Sequence, residues 1–178
     1  MHVEGRVWVF PDANVNTDLM MPAATFRMPR AEQAKHVFAD YRPGWADAVG
    51  KGDIIVGGRN FGTGSSREQA VTCLRAKGIP LVIAASFSQT YLRNAFNNGF
   101  LCIEVPELVV RVREQFKNEV AAQEKTIIPG DEIDIDFTTS TIAWRGGRFN
   151  FPALGSVPQS LVIAGGVENL VATKLAAV

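Results

Sequence analysis

Cysteine and histidine are scarce in this 178-residue sequence, which contains two of each. Cys73 and Cys102 lie far apart in apolar segments, and neither has a Cys or His neighbour at the spacing of a metal site. We therefore expect that this chain binds no metal and holds no cluster by its thiolates. Both cysteines are predicted to be small apolar side chains of the core.

An excess of either charge is also missing, because 18 Lys and Arg residues balance 18 Asp and Glu residues. Proteins that bind nucleic acids or anionic lipids normally carry clusters of basic residues. The sequence has no such run, so we expect neither a nucleic acid nor a membrane as a partner.

Long hydrophobic runs are absent too. The longest apolar stretch, residues 79–86, is far shorter than the roughly 20 residues that cross a bilayer. The polar residues 1–5 lack the apolar core of a signal peptide. These features predict a cytoplasmic protein.

The order of the predicted elements favours a mixed α/β fold. After a strand at 6–10 and an amphipathic helix at 29–40, strands and helices alternate as consecutive βαβ units, which are typical of a parallel sheet. These units comprise strands at 53–56, 81–85 and 101–105 and helices at 66–77 and 88–97. The chain then continues with a helix at 107–122, antiparallel strands at 132–137, 141–144 and 148–151, and a tail of one broken or two short helices at 158–177. One core suffices at this length, so we expect a single domain, 1–178.

The segment 59–68, R-N-F-G-T-G-S-S-R-E, lies between a predicted strand and a predicted helix. Gly62 and Gly64 permit backbone angles that other residues avoid, which would aim the unpaired amides of the helix start at one point. Arg67 adds a planar cation that can bind a carboxylate or phosphate through two hydrogen bonds. The pattern therefore predicts an anion site.

Two interpretations of the serines in this segment are open at this stage. Positive potential would favour an alkoxide, so Ser65 or Ser66 could have a lowered pKa and act chemically. Alternatively, the segment is an ordinary glycine turn with a serine N-cap and Glu68 as a first-turn acid. Neither a dinucleotide-binding fingerprint nor a P-loop fits the spacing.

Residues 60–68 closely resemble the N-[FY]-G-x-G-S-S-R-E signature of the swivelling domain of the aconitase superfamily. In isopropylmalate dehydratase and archaeal homoaconitase this domain is a separate small subunit, and the length of the chain fits it. The resemblance extends to 16–22, to Ser86-Phe87, to 94–99 and to Gly165-Gly166. Gln69 departs from the family pattern, since many members have His there. The resemblance implies a β/β/α three-layer swivelling domain with a mixed sheet and added antiparallel β-ribbons.

The resemblance also implies a reaction, the dehydration and rehydration of a hydroxy di- or tricarboxylic acid. Ser65 would be the base, and Arg67 would be catalytic beside it. Ser66 and the Gly64 backbone would join Arg67 in binding the substrate. The hydroxide would leave to a [4Fe-4S] cluster carried by the large subunit, and this chain would supply none of the ligands of the cluster.

Asp18 and Arg27, in and after the first loop, are further candidate substrate-binding residues. Asp18 either fixes an Asx-type turn or supports the substrate site. Arg27 is either solvent-exposed or faces the distal group of the substrate, in which case an acidic group is favoured. An isopropyl or methyl group would instead suit the apolar side chains of Met20, Met21, Phe26 and Met28.

The favoured hypothesis is the small subunit of a heteromeric hydro-lyase, active only with a cluster-bearing large subunit. The 3-isopropylmalate dehydratase of leucine biosynthesis is preferred because it is the commonest role of such subunits. Homoaconitase and a 2,3-dimethylmalate-type dehydratase are the alternatives. A hypothesis of another class is a non-catalytic module that binds a carboxylate or phosphate.

Overall fold

Strand β1 (His2–Phe10) is the longest strand of the computed structural model, which describes residues 1–176. The other strands are β2 (Ile54–Gly57), β3 (Leu81–Ala84), β4 (Leu101–Glu104), β5 (Glu132–Asp136), β6 (Thr141–Trp144) and β7 (Gly147–Asn150). Together they form one seven-stranded sheet in the order β4-β3-β2-β1-β5-β6-β7.

Strand β1 joins two halves of different kinds. Its second half pairs with parallel β2, with Val7 opposite Ile54, and β3 and β4 continue the parallel order. Its first half pairs with antiparallel β5, with Arg6 opposite Glu132, and β6 and β7 continue the antiparallel order. The predicted mixed sheet is therefore confirmed, and the antiparallel ribbons extend the same sheet.

The sequence of each half matches its environment. All residues of β2 and β3 are buried, as expected for parallel strands that are covered on both faces. In β5, by contrast, Ile133 and Ile135 are buried between more exposed acidic residues. This alternation indicates a strand with one face toward the core and one toward solvent.

The α-helices connect and cover the strands. They are α1 (Thr17–Met20), α2 (Arg30–Gln33), α3 (Trp45–Ala48), α4 (Gln69–Ala76), α5 (Gln89–Asn97), α6 (Pro106–Gln115), α7 (Lys117–Ala121), α8 (Ser156–Ala164) and α9 (Val167–Ala176). The predicted two short tail helices correspond to α8 and α9. Their predicted end at Ala177 lies outside the described residues. No helix within 1–176 is long and apolar enough to span a bilayer.

Two hydrophobic clusters cover the two faces of the parallel strands. On one face, Trp8 and Phe10 pack with apolar residues of α4, α5 and the segment between β1 and β2. On the other face, Val7 and Val9 pack with residues of α6 and with the buried isoleucines of β5 and β6. The antiparallel half therefore curls over the parallel half, which produces the expected three-layer β/β/α arrangement.

The predicted helix at 29–40 is wrong in length. Only α2 and a 3₁₀ turn at Ala34–His36 form. Phe38 has a left-handed backbone (φ +57°) and donates its N–H to the Met20 carbonyl at 2.9 Å. Val37 and Phe38 are both buried, so the chain turns into the core at these residues. A helix that continued to residue 40 would instead have stayed on the surface.

The predicted helix at 107–122 also differs, because it is two helices. Phe116, with φ −113° and ψ 36°, separates α6 from α7. Phe116 packs against the cluster that includes Val112, and Arg145 lies over its ring. The helix therefore breaks at a residue that packs against the core. Such tertiary packing cannot be read from the helical periodicity of the sequence.

Asp53 is a buried carboxylate that ties β1 to the chain before β2. It accepts hydrogen bonds from Arg6, from the Trp8 indole at 2.8 Å and from the Gly50 N–H at 2.7 Å. Burial by itself raises the pKa of Asp53, but the hydrogen bonds and the Arg6 charge outweigh it and hold the pKa below its usual value. The ionised form is therefore the one that the fold stabilises.

We expect Asp53→Asn to lower the free energy of unfolding by about 1 to 2 kcal/mol, because the buried carboxylate loses its charge and its hydrogen bonds to Trp8, Gly50 and the half-exposed Arg6 become weaker. Asp53 stabilises the wild type fully above its unfolded pKa of about 4, and this contribution is lost as the pH falls through the lower folded value. Urea unfolding between pH 7 and pH 3 measures both effects. The exposed Asp40→Asn is the matched control, and equal losses in the two variants would contradict the assignment.

Candidate active site

The glycine-rich loop between β2 and α4 is fixed by the packing of Gly62. Its φ is +75°, and a Cβ built on it would lie 2.2 Å from Cγ of the Tyr91 ring. Its N–H donates to the Val15 carbonyl at 2.8 Å, and its own carbonyl accepts from the Ser88 hydroxyl at 2.6 Å. Glycine is required here, since both the backbone angle and the close ring exclude a side chain.

The first loop, residues 11–22, lies directly against this glycine-rich loop. The Thr17 N–H donates to the Thr63 carbonyl, and its hydroxyl donates to the Ser65 carbonyl, each at 2.9 Å. Gly64 follows this contact with φ +94°, a backbone angle that favours glycine, and a Cβ there would lie in ordinary contact with the Thr17 hydroxyl at 3.4 Å. The buried Thr17 therefore locks the two loops together, although the sequence analysis did not single it out.

Asp18 contacts Arg67 as a result of this loop pairing. Nη1 of Arg67 meets a carboxylate oxygen of Asp18 as an ion pair rather than as an aligned hydrogen bond. The Asx-type turn considered for Asp18 is made instead by Asn16, whose side-chain oxygen accepts the Leu19 N–H at 2.9 Å and caps α1. The structure thus brings Asp18 to the predicted site.

The Arg67 guanidinium is also covered by an aromatic ring. Its Cζ lies 4.3 Å from the centroid of the Phe26 ring, within cation–π distance. With Asp18 on one side and Phe26 on another, the side chain keeps 23% of its surface exposed. Arg67 is therefore held in place while part of its surface can still meet a ligand.

Ser65 and Ser66 are exposed, as is Gly64, which has φ +94°. The predicted helix start at 66 is wrong, since the N–H of Arg67 donates to the Ser65 carbonyl at 2.8 Å and α4 begins at Gln69. This amide is therefore already paired, and Arg67 is the basic residue next to the serines in the sequence. The alternative of a serine N-cap is also wrong, because Glu68 holds the cap position.

The remaining predicted residues are either exposed or inside the core. Arg27 is exposed, one residue after Phe26, and forms no ion pair within the described residues 1–176. Met20 and Met21 are fully buried and so cannot meet a substrate, contrary to one expectation, whereas Met28 is 38% exposed. Of the apolar candidates, only Phe26 and Met28 remain near the surface.

The cysteines and acidic residues of this chain do not fit a metal cluster. Cys73 and Cys102 are both buried, and burial raises the pKa of the Cys102 thiol well above its ordinary value. Within the described part of the chain, no group of three or more His, Cys, Asp or Glu side chains is placed to bind a metal ion.

Comparison with known proteins places these loops in a family. The Aconitase C-terminal domain profile matches residues 17–108, which include the glycine-rich loop and the second half of the first loop. The 3-isopropylmalate dehydratase small subunit of Thermodesulfovibrio yellowstonii is 38% identical over 170 residues, which cover 94% of this chain and 92% of the relative. The chain belongs to the aconitase C-terminal domain family. The predicted family is thereby confirmed.

Two further relatives of this aconitase-family chain differ from each other in length: one is much longer than this chain, and the other is nearly equal to it. The mitochondrial homoaconitase of Yarrowia lipolytica is 37% identical over 184 residues, and the chain spans only 26% of its length. The crystal structure of 3-isopropylmalate dehydratase (leuD) from Methanocaldococcus jannaschii matches with a TM-score of 0.84 and 29% identity, covering 99% of this chain and 97% of the other. The fold of the aconitase-family chain thus agrees with that of a solved relative over nearly its whole length.

We expect Gly62→Ala to destabilise the protein by about 3 kcal/mol or more, because the new methyl group must displace the Tyr91 ring. Gly130→Ala is the matched control: its φ is +82°, yet nothing lies within 4 Å of a Cβ built there. It should cost only the backbone strain of about 1 kcal/mol. Equal losses in urea unfolding would show that Tyr91 does not fix the loop.

Proposed function

We propose that this chain is the small subunit of a heteromeric hydro-lyase of the 3-isopropylmalate dehydratase type, which removes water from and returns it to a hydroxy carboxylic acid. The observation that carries the proposal is the end-to-end match to a small subunit of that name, at 38% identity. The exposed serines beside a held arginine provide the chemical support.

In this proposal Arg67 binds a carboxylate of the substrate. A guanidinium presents parallel N–H donors that suit a carboxylate, and the exposed part of Arg67 is free for that contact. Asp18 and Phe26 hold the side chain before substrate arrives, so less rotational freedom is lost on binding. Ser66 and the Gly64 backbone complete the carboxylate site.

Ser65 is proposed to be the base that takes the carbon-bound proton. A serine hydroxyl is ordinarily a weak base, so it needs positive charge nearby to favour the alkoxide. Arg67, two residues along the chain, supplies that charge. The Thr17 hydroxyl, bonded to the Ser65 carbonyl, fixes the backbone at this residue, so the Ser65 side chain projects from a rigid position.

A [4Fe-4S] cluster, as is general in this family, would provide a Lewis acid for the leaving hydroxide. The residues of this chain do not fit the cluster, and we therefore assign it to the large subunit. Two observations support such a partner. Ser65 and Ser66 are exposed and need a cover that excludes water, and the matching homoaconitase has almost three quarters of its length outside the aligned domain. A cytoplasmic location is part of the same proposal.

Among the substrates considered, 3-isopropylmalate agrees with the name of the full-length relatives, while homocitrate-type and 2,3-dimethylmalate-type acids are the alternatives. Phe26 and Met28 offer apolar surface beside Arg67, which suits a branched apolar group. Arg27 is the side chain that would favour an acidic group, and it is exposed next to Phe26.

Ser65→Ala tests the base. The complex with the large subunit is purified anaerobically and assayed with 3-isopropylmalate, homocitrate, citrate and 2,3-dimethylmalate. We expect turnover of one acid to fall by a factor of about 10³ or more, while the dissociation constant of that acid changes by less than about threefold. The exposed Ser160→Ala on α8 is the control. Full turnover in Ser65→Ala would contradict the proposal and favour a binding module.

Arg67→Lys tests the carboxylate site. Lysine keeps the positive charge but loses the paired donors and the flat contact with Phe26. We expect KM for the preferred acid to rise about tenfold with a smaller change in kcat. Arg93→Lys, an exposed arginine on α5, serves as the control. An unchanged KM in Arg67→Lys would remove Arg67 from the substrate site.

A further inference from the structure

A groove of about 240 Å³ lies beside Arg67, between the segment that follows α1 and the first turns of α4. Its walls are formed by Phe26, Met28, Gln33, Glu68, Gln69 and Thr72. Gln33, the last residue of α2, is 3% exposed and is one of the few buried polar side chains of the described chain. Gln33 lies outside the family signature at residues 60–68.

The orientation of the Gln33 amide is determined by its partners. Its side-chain nitrogen donates to the backbone carbonyls of Thr25 and Phe26, each at 3.3 Å. Carbonyl oxygens only accept hydrogen bonds, so the NH₂ group must face them. The side-chain oxygen of Gln33 is left buried without a hydrogen-bond partner.

The unpartnered side-chain oxygen of Gln33 lowers the free energy of unfolding relative to an apolar residue of the same length. A buried acceptor without a partner costs free energy of folding, and an unbranched apolar side chain of the same length would avoid that cost. What glutamine supplies at this position, and an apolar side chain would not, is its two donated hydrogen bonds. Both of them end on the backbone that carries Phe26.

We propose that Gln33 is a positioning residue, which fixes the Arg67 guanidinium by holding the Phe26 turn. The Phe26 ring lies on Arg67 at 4.3 Å, so displacement of the turn would move the ring away from the guanidinium. The same turn is braced from its other side by the Thr25 hydroxyl, which donates to the Pro22 carbonyl at 2.7 Å. The inference rests on the proposed function of Arg67 as the carboxylate-binding group.

Gln33→Met provides the test, because methionine keeps the length of the side chain and removes both the donors and the unpartnered oxygen. In the complex with the large subunit, we expect the dissociation constant for 3-isopropylmalate, measured by calorimetry, and its KM to rise about threefold to tenfold. The melting temperature should change little, because the relief of the unpartnered oxygen offsets the loss of the two donors to the Thr25 and Phe26 carbonyls. A merely structural role predicts the opposite pattern, a lower melting temperature with unchanged KM, and that result would overturn the inference.

A double-mutant cycle tests the route through the ring. Phe26→Leu should raise the dissociation constant by a similar factor, and Gln33→Met should add little in that background, because the contact on Arg67 is already lost. If the rise in the dissociation constant in the double variant equals the product of the rises in the two single variants, Gln33 does not act through Phe26. Glu32→Gln, an exposed neighbour that pairs with Lys35, is the control. Failure of the proposed function appears separately, as a wild-type complex that binds the acid without turning it over.

Discussion

The close packing of the Gly62 backbone against the Tyr91 ring determines the position of both loops of the site. Because no side chain intervenes, the glycine-rich loop can hydrogen-bond to the first loop at Val15 and to Ser88, the N-cap of α5. Thr17 then extends this contact to the Ser65 carbonyl, and Asp18 comes to face Arg67. The chemistry proposed for Ser65 and Arg67 therefore depends on a rigid contact several residues away from them.

The two loops of the site are buried where they contact each other and exposed at the serines. Thr17 and Gly62 are buried, whereas Ser65 and Ser66 remain exposed. Such a site presents groups to a second surface and has little enclosure of its own. This agrees with a subunit that completes an active site jointly with a partner. In such a site the contacts of Asp18 and Phe26 with Arg67 fix the guanidinium before a ligand arrives.

Much of the fold could be predicted from local patterns in the sequence. The buried runs of β2 and β3 and the alternation in β5 have direct signatures, and the glycine-serine motif identified the central loop. The parts that failed depend on tertiary packing. Burial of Phe38 ends the helix expected at 29–40, and the Ser65–Arg67 turn delays α4 until Gln69. The roles of Thr17 and Gln33 arise from hydrogen bonds across 48 residues and across 7 or 8 residues, which periodicity does not reveal.

A structure of the complete complex with a bound hydroxy acid would test the central claim most directly. The account predicts the Ser65 hydroxyl oxygen within about 3.5 Å of the carbon that loses its proton, with Arg67 on a substrate carboxylate. It also predicts that the Arg67 contact with Phe26 is retained. A complex in which another residue occupies the position of the base, with Ser65 facing solvent, would contradict the account.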